Sequence, residues 1–316
     1  MSQNAPMSLI PRLTAATSRA LAWCCPAPRK LRPWGGVIVA LVLLSACVSA
    51  PPPQPSAGIA PIRFLLSFDD GPSGSLGVNP TRQILDALAD NPVQPGIKAL
   101  FFIQTRAPYA GGSAQGQALL RRQQKDGHLL GFHTATPRHS NHRFLSPAEL
   151  EQSLRDGVAD LSAVSGKPPR LVRPPFWNYD QRTFAAYRAH GLHLLLTDLS
   201  ANDGKTWGIN GSLRRRSNLR TQLALIATQI HAGSMPVVDG VIPVVVTFHD
   251  LNPYTARHMQ EYLQILLDVA GDVGLATAAK PFYDQRDALE RAALKRTLGD
   301  PLQHARLPGV WNWLWN

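Results

Sequence analysis

Several short stretches of this chain carry side chains able to hold a cation and move protons. Asp69 and Asp70 stand side by side ahead of Gly71-Pro72. Adjacent carboxylates repel each other unless a cation or a base relieves them, and Gly-Pro forces a turn immediately afterwards. Further along, His133, His139 and His142 fall within ten residues. Imidazole nitrogens together with a carboxylate oxygen form a donor set that zinc or a similar divalent ion accepts. Arg173-Pro174-Pro175-Phe176-Trp177, the acidic stretch Asp198 to Asp203, and Thr247-Phe248-His249-Asp250 add a guanidinium, more carboxylates and another imidazole. Singly, each has a plain structural explanation: a tight turn, a solvated polar loop, a strand-end histidine. Together they suit metal-assisted acid–base chemistry.

Such chemistry needs a frame. Short apolar runs alternate with helical patterns along the body of the chain. Arg63 to Phe68, Lys98 to Ile103, Leu129 to His133, Arg170 to Arg173, Leu192 to Thr197 and Val241 to Phe248 read as strands. Pro80 to Ala89, Gln115 to Lys125, Ser146 to about Val164, Gln181 to His190, Leu213 to Ala232 and Thr255 to Ala270 read as helices. Ser146-Pro147-Ala148-Glu149 is a strong helix start, with a capping hydroxyl, a proline at the first helical position and a glutamate that completes a capping box. Alternation of this kind argues for an α/β fold with parallel strands; the architecture expected, from the family resemblance given below, is a distorted (β/α) barrel of about seven. Asp69, Asp70, His133, Arg173, Asp198 and His249 all fall at C-terminal strand ends, the edge where such barrels place chemistry.

The 316 residues carry a net charge of +11, unevenly spread. Residues 1–46 hold Arg12, Arg19, Arg29, Lys30 and Arg32 and no acid, which leaves 27 basic against 21 acidic groups from Cys47 onward. No concentrated Lys/Arg run argues for nucleic acid. All three cysteines lie at or before Cys47, so the body has none with which to form a disulfide. Val37 to Leu44 is too short to span a bilayer and has the length of a secretory signal core. It runs into Leu44-Ser45-Ala46-Cys47, which resembles a bacterial lipobox and implies cleavage before Cys47 and lipidation of its thiol. The expected organisation is a signal segment (1–46), a lipidated Cys47 with a proline-rich spacer (47–61), a catalytic body (62–275) and a helical, tryptophan-rich extension (276–316). Trp311, Trp313 and Trp315 alternate at the terminus.

The ordered motifs resemble those of the polysaccharide deacetylases with a NodB-homology domain, carbohydrate esterase family 4, over about Ile62 to Gly274. Ser67-Phe68-Asp69-Asp70-Gly71-Pro72 is similar to the first, usually T-F-D-D-G-P. His133 opens the second, usually H-[S/T]-x-x-H. Arg173 to Trp177 is similar to the third, usually R-P-P-[Y/F]-G. Asp198 to Asp203 stands where an aspartate loop belongs, and Thr247 to Asp250 is similar to the fifth, usually L-x-H-D. The resemblance implies Asp70 and His133 as metal ligands, and Asp69 as general base toward a water at the metal. It implies His249 as general acid, Arg173 as partner of Asp69, and Asp203 as partner of His249. Pro174, Phe176 and Trp177 would contact substrate. The metal would be zinc, with cobalt, nickel or manganese as alternatives.

Three departures stand out. Pro137 occupies the position of the second motif histidine. Leu145-Ser146-Pro147-Ala148-Glu149 lies six residues after His139, the spacing expected after that histidine, so a two-residue insertion would make His139 the ligand, with His142 as rival. Gly204 follows Asp203 where a tryptophan is usual, which leaves Asp198 as an alternative partner for His249. Thr247 stands where a leucine usually lines the acetyl pocket. The implied function is a metal-dependent N-deacetylase acting on N-acetylglucosamine-type sugars in peptidoglycan or an exported poly-N-acetylglucosamine. It would be a monomer, exported to the periplasmic face of a membrane, the outer one, by its lipid anchor. The alternatives are a catalytically impaired glycan-binding lipoprotein and a related O- or N-acyl hydrolase.

Overall fold

The computed structural model describes residues 58–204, 214–302 and 307–308. The signal segment, Cys47, the proline-rich run and the terminal tryptophans lie outside these residues. Eight strands alternate with helices: β1 (Ile62–Asp69), α1 (Pro80–Ala89), β2 (Leu100–Gln104), α2 (Ala114–Lys125), β3 (Leu129–Thr134), α3 (Pro147–Ser165), β4 (Leu171–Val172), α4 (Gln181–Ala189), β5 (His193–Leu194), β6 (Leu199–Ser200), α5 (Arg215–His231), β7 (Ile242–His249), α6 (Pro253–Arg257), α7 (Met259–Asp272), β8 (Thr277–Phe282) and α8 (Arg286–Lys295). The named strand pairs are all parallel, and seven strands run in the order β5-β4-β3-β2-β1-β7-β6. They form a curled, open (β/α) barrel, as expected.

Helix starts obey local chemistry. The Asn79, Ser113, Ser146 and Asp180 side chains each accept a backbone N–H from the first turn of α1, α2, α3 and α4. Ser146 and Glu149 complete the capping box.

β1 is the organising strand. Along its whole length it pairs with β7, which puts Leu65 beside Val245, Ser67 beside Thr247 and Asp69 beside His249. Because strand side chains alternate, these residues share one face, and Phe64, Leu66 and Phe68 share the other. The second set packs into the main core with Leu85, Leu263 and Leu266 of α1 and α7. The first set lines the barrel interior in layers. Leu65 is buried with Leu100, Leu129 and Val245. Ser67 belongs to a polar layer above, and Asp69 opens onto the C-terminal edge.

Two corrections concern the C-terminal region. The fold does not stop at residue 275: β8 pairs with β1 at Ile62 and Phe64, and β2 takes over at Ser67. Leu289, Ala292 and Ala293 of α8 then join the Leu65 layer. What reads as an extension therefore seals apolar surface at the closed end of the barrel. The expected strand Leu192 to Thr197 shrinks to β5, and the chain crosses to β6 just beyond it, because Leu195 N–H bonds to Val172 and Asp198 N–H bonds to Val245, near opposite borders of the sheet.

The wall behind His133 is tight. A β-carbon on Gly157 of α3 would lie 2.0 Å from Phe132 Cε2. Gly157→Ala is therefore expected to lower stability by about 1–3 kcal/mol through overpacking, outweighing the better helix propensity of alanine. A drop in the midpoint of urea unfolding measures this, and an unchanged or higher midpoint would contradict it.

Candidate active site

Five separated stretches deliver side chains to the C-terminal edge of the sheet. Asp70 follows β1 with φ of 79°, so its side chain leaves the direction taken by Asp69. Its Oδ1 lies 3.1 Å from His133 Nε2 and 3.2 Å from His139 Nε2, and the two imidazole nitrogens are 2.9 Å apart. His133 Nδ1–H donates to the Arg173 carbonyl at 2.6 Å, which turns the Nε2 lone pair toward Asp70. Burial holds His139 down at about 4, against the pull of the Asp70 charge. Burial works against the Asp70 charge, but the surrounding histidines outweigh it and hold this carboxyl well below the usual range. An Asp70 carboxylate oxygen and the Nε2 atoms of His133 and His139 face one point, a carboxylate–imidazole donor set of the kind divalent cations accept. That arrangement fits a divalent cation at their centre and is poorly satisfied without one.

His142, the alternative ligand, turns away. It is fully buried, its ring stacks on Phe132, and its Nδ1 lies 2.9 Å from the Tyr187 hydroxyl. Burial pushes this imidazole down to about 3.

Asp69 is 1% exposed. Its Oδ1 accepts from Arg173 Nη1 at 2.9 Å and its Oδ2 from Trp177 Nε1 at 3.1 Å. Arg173, wholly buried, also donates to Ser67 Oγ at 2.7 Å and to the carbonyls of Leu195 at 3.1 Å and Leu196 at 3.0 Å. Its guanidinium lies 4.3 Å over the Phe102 ring. Thr247 Oγ1 meets Ser67 Oγ at 3.1 Å and is completely buried, so it extends this polar layer.

His249 Nδ1–H donates to Asp203 Oδ1 at 2.8 Å, and its backbone N–H donates to Asp203 Oδ2 at 2.9 Å. Thr255 and Asn252 donate to Asp203 as well. Burial alone would lower the imidazole; the Asp203 charge and hydrogen bond overcome it and push His249 up to about 10. A cation on Asp70 would offset that carboxylate's smaller contribution. Asp198 is not the partner: it pairs with Arg296 and accepts Val245 N–H at 2.8 Å, four residues before His249 along β7.

Phe176 and Trp177 both lie in the left-handed region, at φ of 61° and 55°. Each such non-glycine residue costs about 1–3 kcal/mol and persists only where its surroundings enforce it. Phe176 is 39% exposed with its ring 4.6 Å from that of His139. Two expected substrate contacts need correction. Pro174 is buried, with its carbonyl accepting Trp177 N–H, and the Trp177 ring is buried with its indole turned to Asp69.

Further residues were not anticipated. Gln104 Nε2 donates to the Asp70 carbonyl at 3.0 Å and receives the Tyr109 hydroxyl on Oε1 at 3.2 Å. Asp250 sits under the Gly71 turn, where a β-carbon would come within 2.0 Å of its oxygens; Thr81 donates to it, and burial pushes its carboxyl up to about 7. Asp250 was visible as part of the fifth motif. Gln104 and Tyr109 carry no local signal beyond a strand end. A cavity of about 440 Å³ opens over the site, lined by Asp70, Gln104, Tyr109, His139, Asp203, His249, Leu251 and Asn252.

His139→Ala should lower zinc affinity by more than the roughly 100-fold that loss of an outer partner costs, whereas His142→Phe should leave it essentially intact. Competition with a fluorescent zinc chelator reads both. Equal losses in the two variants would refute the ligand assignment.

Comparison with known proteins agrees with this geometry. Residues 61–195 match the family model described as polysaccharide deacetylase. A chitin deacetylase of Pestalotiopsis sp is 26% identical over 148 residues, covering 47% of this chain and 45% of the relative. Chitin deacetylase 2 of Saccharomyces cerevisiae is 32% identical over 136 residues, covering 42% and 36%. The chain thus spans less than half the length of these two relatives. The solved chitin deacetylase of Colletotrichum lindemuthianum shares the fold at 22% identity, with a TM-score of 0.50 over 72% of this chain and 88% of that one. The matched segment carries the first three motifs, and the fold brings Asp203 and His249 to them from beyond it; over that segment the chain is similar to the polysaccharide deacetylases.

Proposed function

We propose that this protein is a metal-dependent N-deacetylase that hydrolyses acetamide groups of N-acetylglucosamine-type sugars in cell-wall or exported glycans. The observation that carries the reading is the convergence of Asp70, His133 and His139 beside two oriented pairs, Asp69 with Arg173 and His249 with Asp203. Chitin deacetylases among its relatives, and a peptidoglycan-N-acetylglucosamine deacetylase of Bacillus cereus that is 27% identical over 111 residues, support this substrate class.

Asp70, His133 and His139 would hold the cation, zinc in the first instance. When bound, it supplies Lewis acidity toward the amide carbonyl oxygen and an attacking water. Asp69, held in place by Arg173, takes the proton from the attacking water. His249 enters the reaction protonated because Asp203 stabilises the imidazolium, and it gives its proton to the departing amine nitrogen. Phe176 presents a half-exposed ring beside the metal ligands to a sugar face. The impaired glycan-binding alternative is less well supported, since both proton-transfer pairs have short, complete contacts. Export and anchoring through Cys47, with the proline-rich spacer holding the catalytic body off the membrane, complete the proposal and rest on the lipobox-like sequence.

Acetate release from N-acetylglucosamine polymers, measured with and without chelator, tests the reading. Zinc-loaded protein should release acetate, chelator should abolish it, and Asp69→Asn should lose about 100-fold or more. Release from acetylated xylan but from none of the N-acetylated polymers would transfer the assignment to an O-acyl hydrolase.

The acid also has a pH signature. The imidazolium must be present for turnover, so activity falls as pH rises through its pKa. Asp203→Asn removes the main raising influence, and the alkaline limb of kcat/KM should move down toward or below the ordinary imidazole value of about 6.5. An unmoved limb would remove His249 from the role of acid.

A further inference from the structure

We infer that Trp177 is a positioning residue for Asp69, its indole N–H fixing the second carboxylate oxygen so that the base meets the attacking water in one orientation. The inference rests on the deacetylase reading and adds to it a residue outside the motif pattern quoted above, which has glycine at this place. A glycine would be the favoured occupant on conformational grounds, because the backbone φ of 55° lies in the left-handed region that disfavours a β-carbon. The chain nevertheless carries its largest kind of side chain there.

The contacts give a reason. The indole is 5% exposed and therefore offers no face to a sugar. It has one polar atom, Nε1, and that atom lies 3.1 Å from Asp69 Oδ2. Asp69 is itself 1% exposed, so bulk water has little access to supply a replacement donor. Arg173 Nη1 holds Oδ1 at 2.9 Å. A carboxylate held by one oxygen still turns about its Cβ–Cγ bond; held by both oxygens from two different directions, it does not. The carboxylate oxygen bound by Trp177 keeps a second lone-pair site, which is where a proton is accepted.

The same comparison of motifs leaves Gly204 after Asp203, where tryptophan is usual. A β-carbon at Gly204 would stand 3.2 Å from His249 Cε1. Position 204 thus carries no indole, whereas at position 177 an indole is bound to the base.

The test uses the zinc-loaded full chain and its Trp177→Phe, Trp177→His and Asp69→Ala variants. Phenylalanine keeps a buried ring and removes the N–H. Trp177→Phe should lower kcat by at least about tenfold, the loss expected for one hydrogen bond to a charged group, with KM, zinc affinity and melting temperature little changed. Trp177→His, which restores a ring N–H, should recover part of kcat. In ¹⁵N–¹H spectra, the indole resonance missing from Trp177→Phe should shift in Asp69→Ala. Unchanged kcat in Trp177→Phe, or an indole resonance indifferent to Asp69→Ala, overturns the inference. So does a kcat loss that follows zinc affinity and melting temperature and is not recovered by histidine, since that marks a packing role. If the unsubstituted protein releases no acetate from any polymer, the deacetylase reading fails, and the indole spectrum alone decides whether Trp177 holds Asp69.

Discussion

A guanidinium enclosed by protein must have its charge answered on the spot, and the centre of this structure is built to answer Arg173. Its side chain is wholly buried, and its partners are the Asp69 carboxylate, the Ser67 hydroxyl, two main-chain carbonyls and the face of Phe102. These partners come from β1, β2 and the segment leaving β5. One cation therefore ties together strands that the sheet orders on both sides of β3. Removing either member of such a pair typically costs about 3–5 kcal/mol, because the other is left charged and buried. The same ion pair fixes the direction of the Asp69 carboxylate, so the interaction that ties the interior together also orients the group proposed as base.

The adjacency of Asp69 and Asp70 gains its meaning from this arrangement. Two neighbouring carboxylates in one environment would share a proton or repel. Here the backbone separates them. Asp69 continues the inward alternation of β1, and Asp70, at positive φ, faces the histidines. Gly71 is needed directly afterwards because the Asp250 carboxyl occupies the place of a side chain. In the proposed reaction one carboxylate would serve a cation and the other a proton, a division made by surroundings alone.

The histidine-rich loop shows the same dependence. His133, His139 and His142 are chemically identical and close in sequence, yet only the first two meet Asp70. His133 is oriented by the Arg173 carbonyl, 40 residues away, and His142 is drawn into the core by Tyr187, 45 residues away. Spacing to the Leu145–Glu149 segment favoured His139, since the capping box fixes where α3 must begin. Spacing could not exclude His142, because its competitor for the imidazole lies on another helix. The choice between Asp203 and Asp198 was open for a like reason: Asp198 is claimed by Arg296, which follows α8 and arrives from the far end of the chain.

By itself the sequence determined what depends on neighbours within a few residues. Apolar runs, capping residues and Gly-Pro turns specify strands, helix starts and breaks through local backbone preference, and they carry most of the barrel. Parallel β/α order then forces the strand ends, with Asp69, Asp70, His133, Arg173 and His249, onto one edge. Tertiary structure alone decided which of several like side chains meets which. It assigned β8 and α8 to the barrel rather than to an appendage, buried Pro174 and Trp177 instead of exposing them, and brought in Gln104 and Tyr109. Those outcomes depend on groups tens to hundreds of residues apart competing for the same buried space and the same hydrogen bonds, and no local pattern encodes that competition.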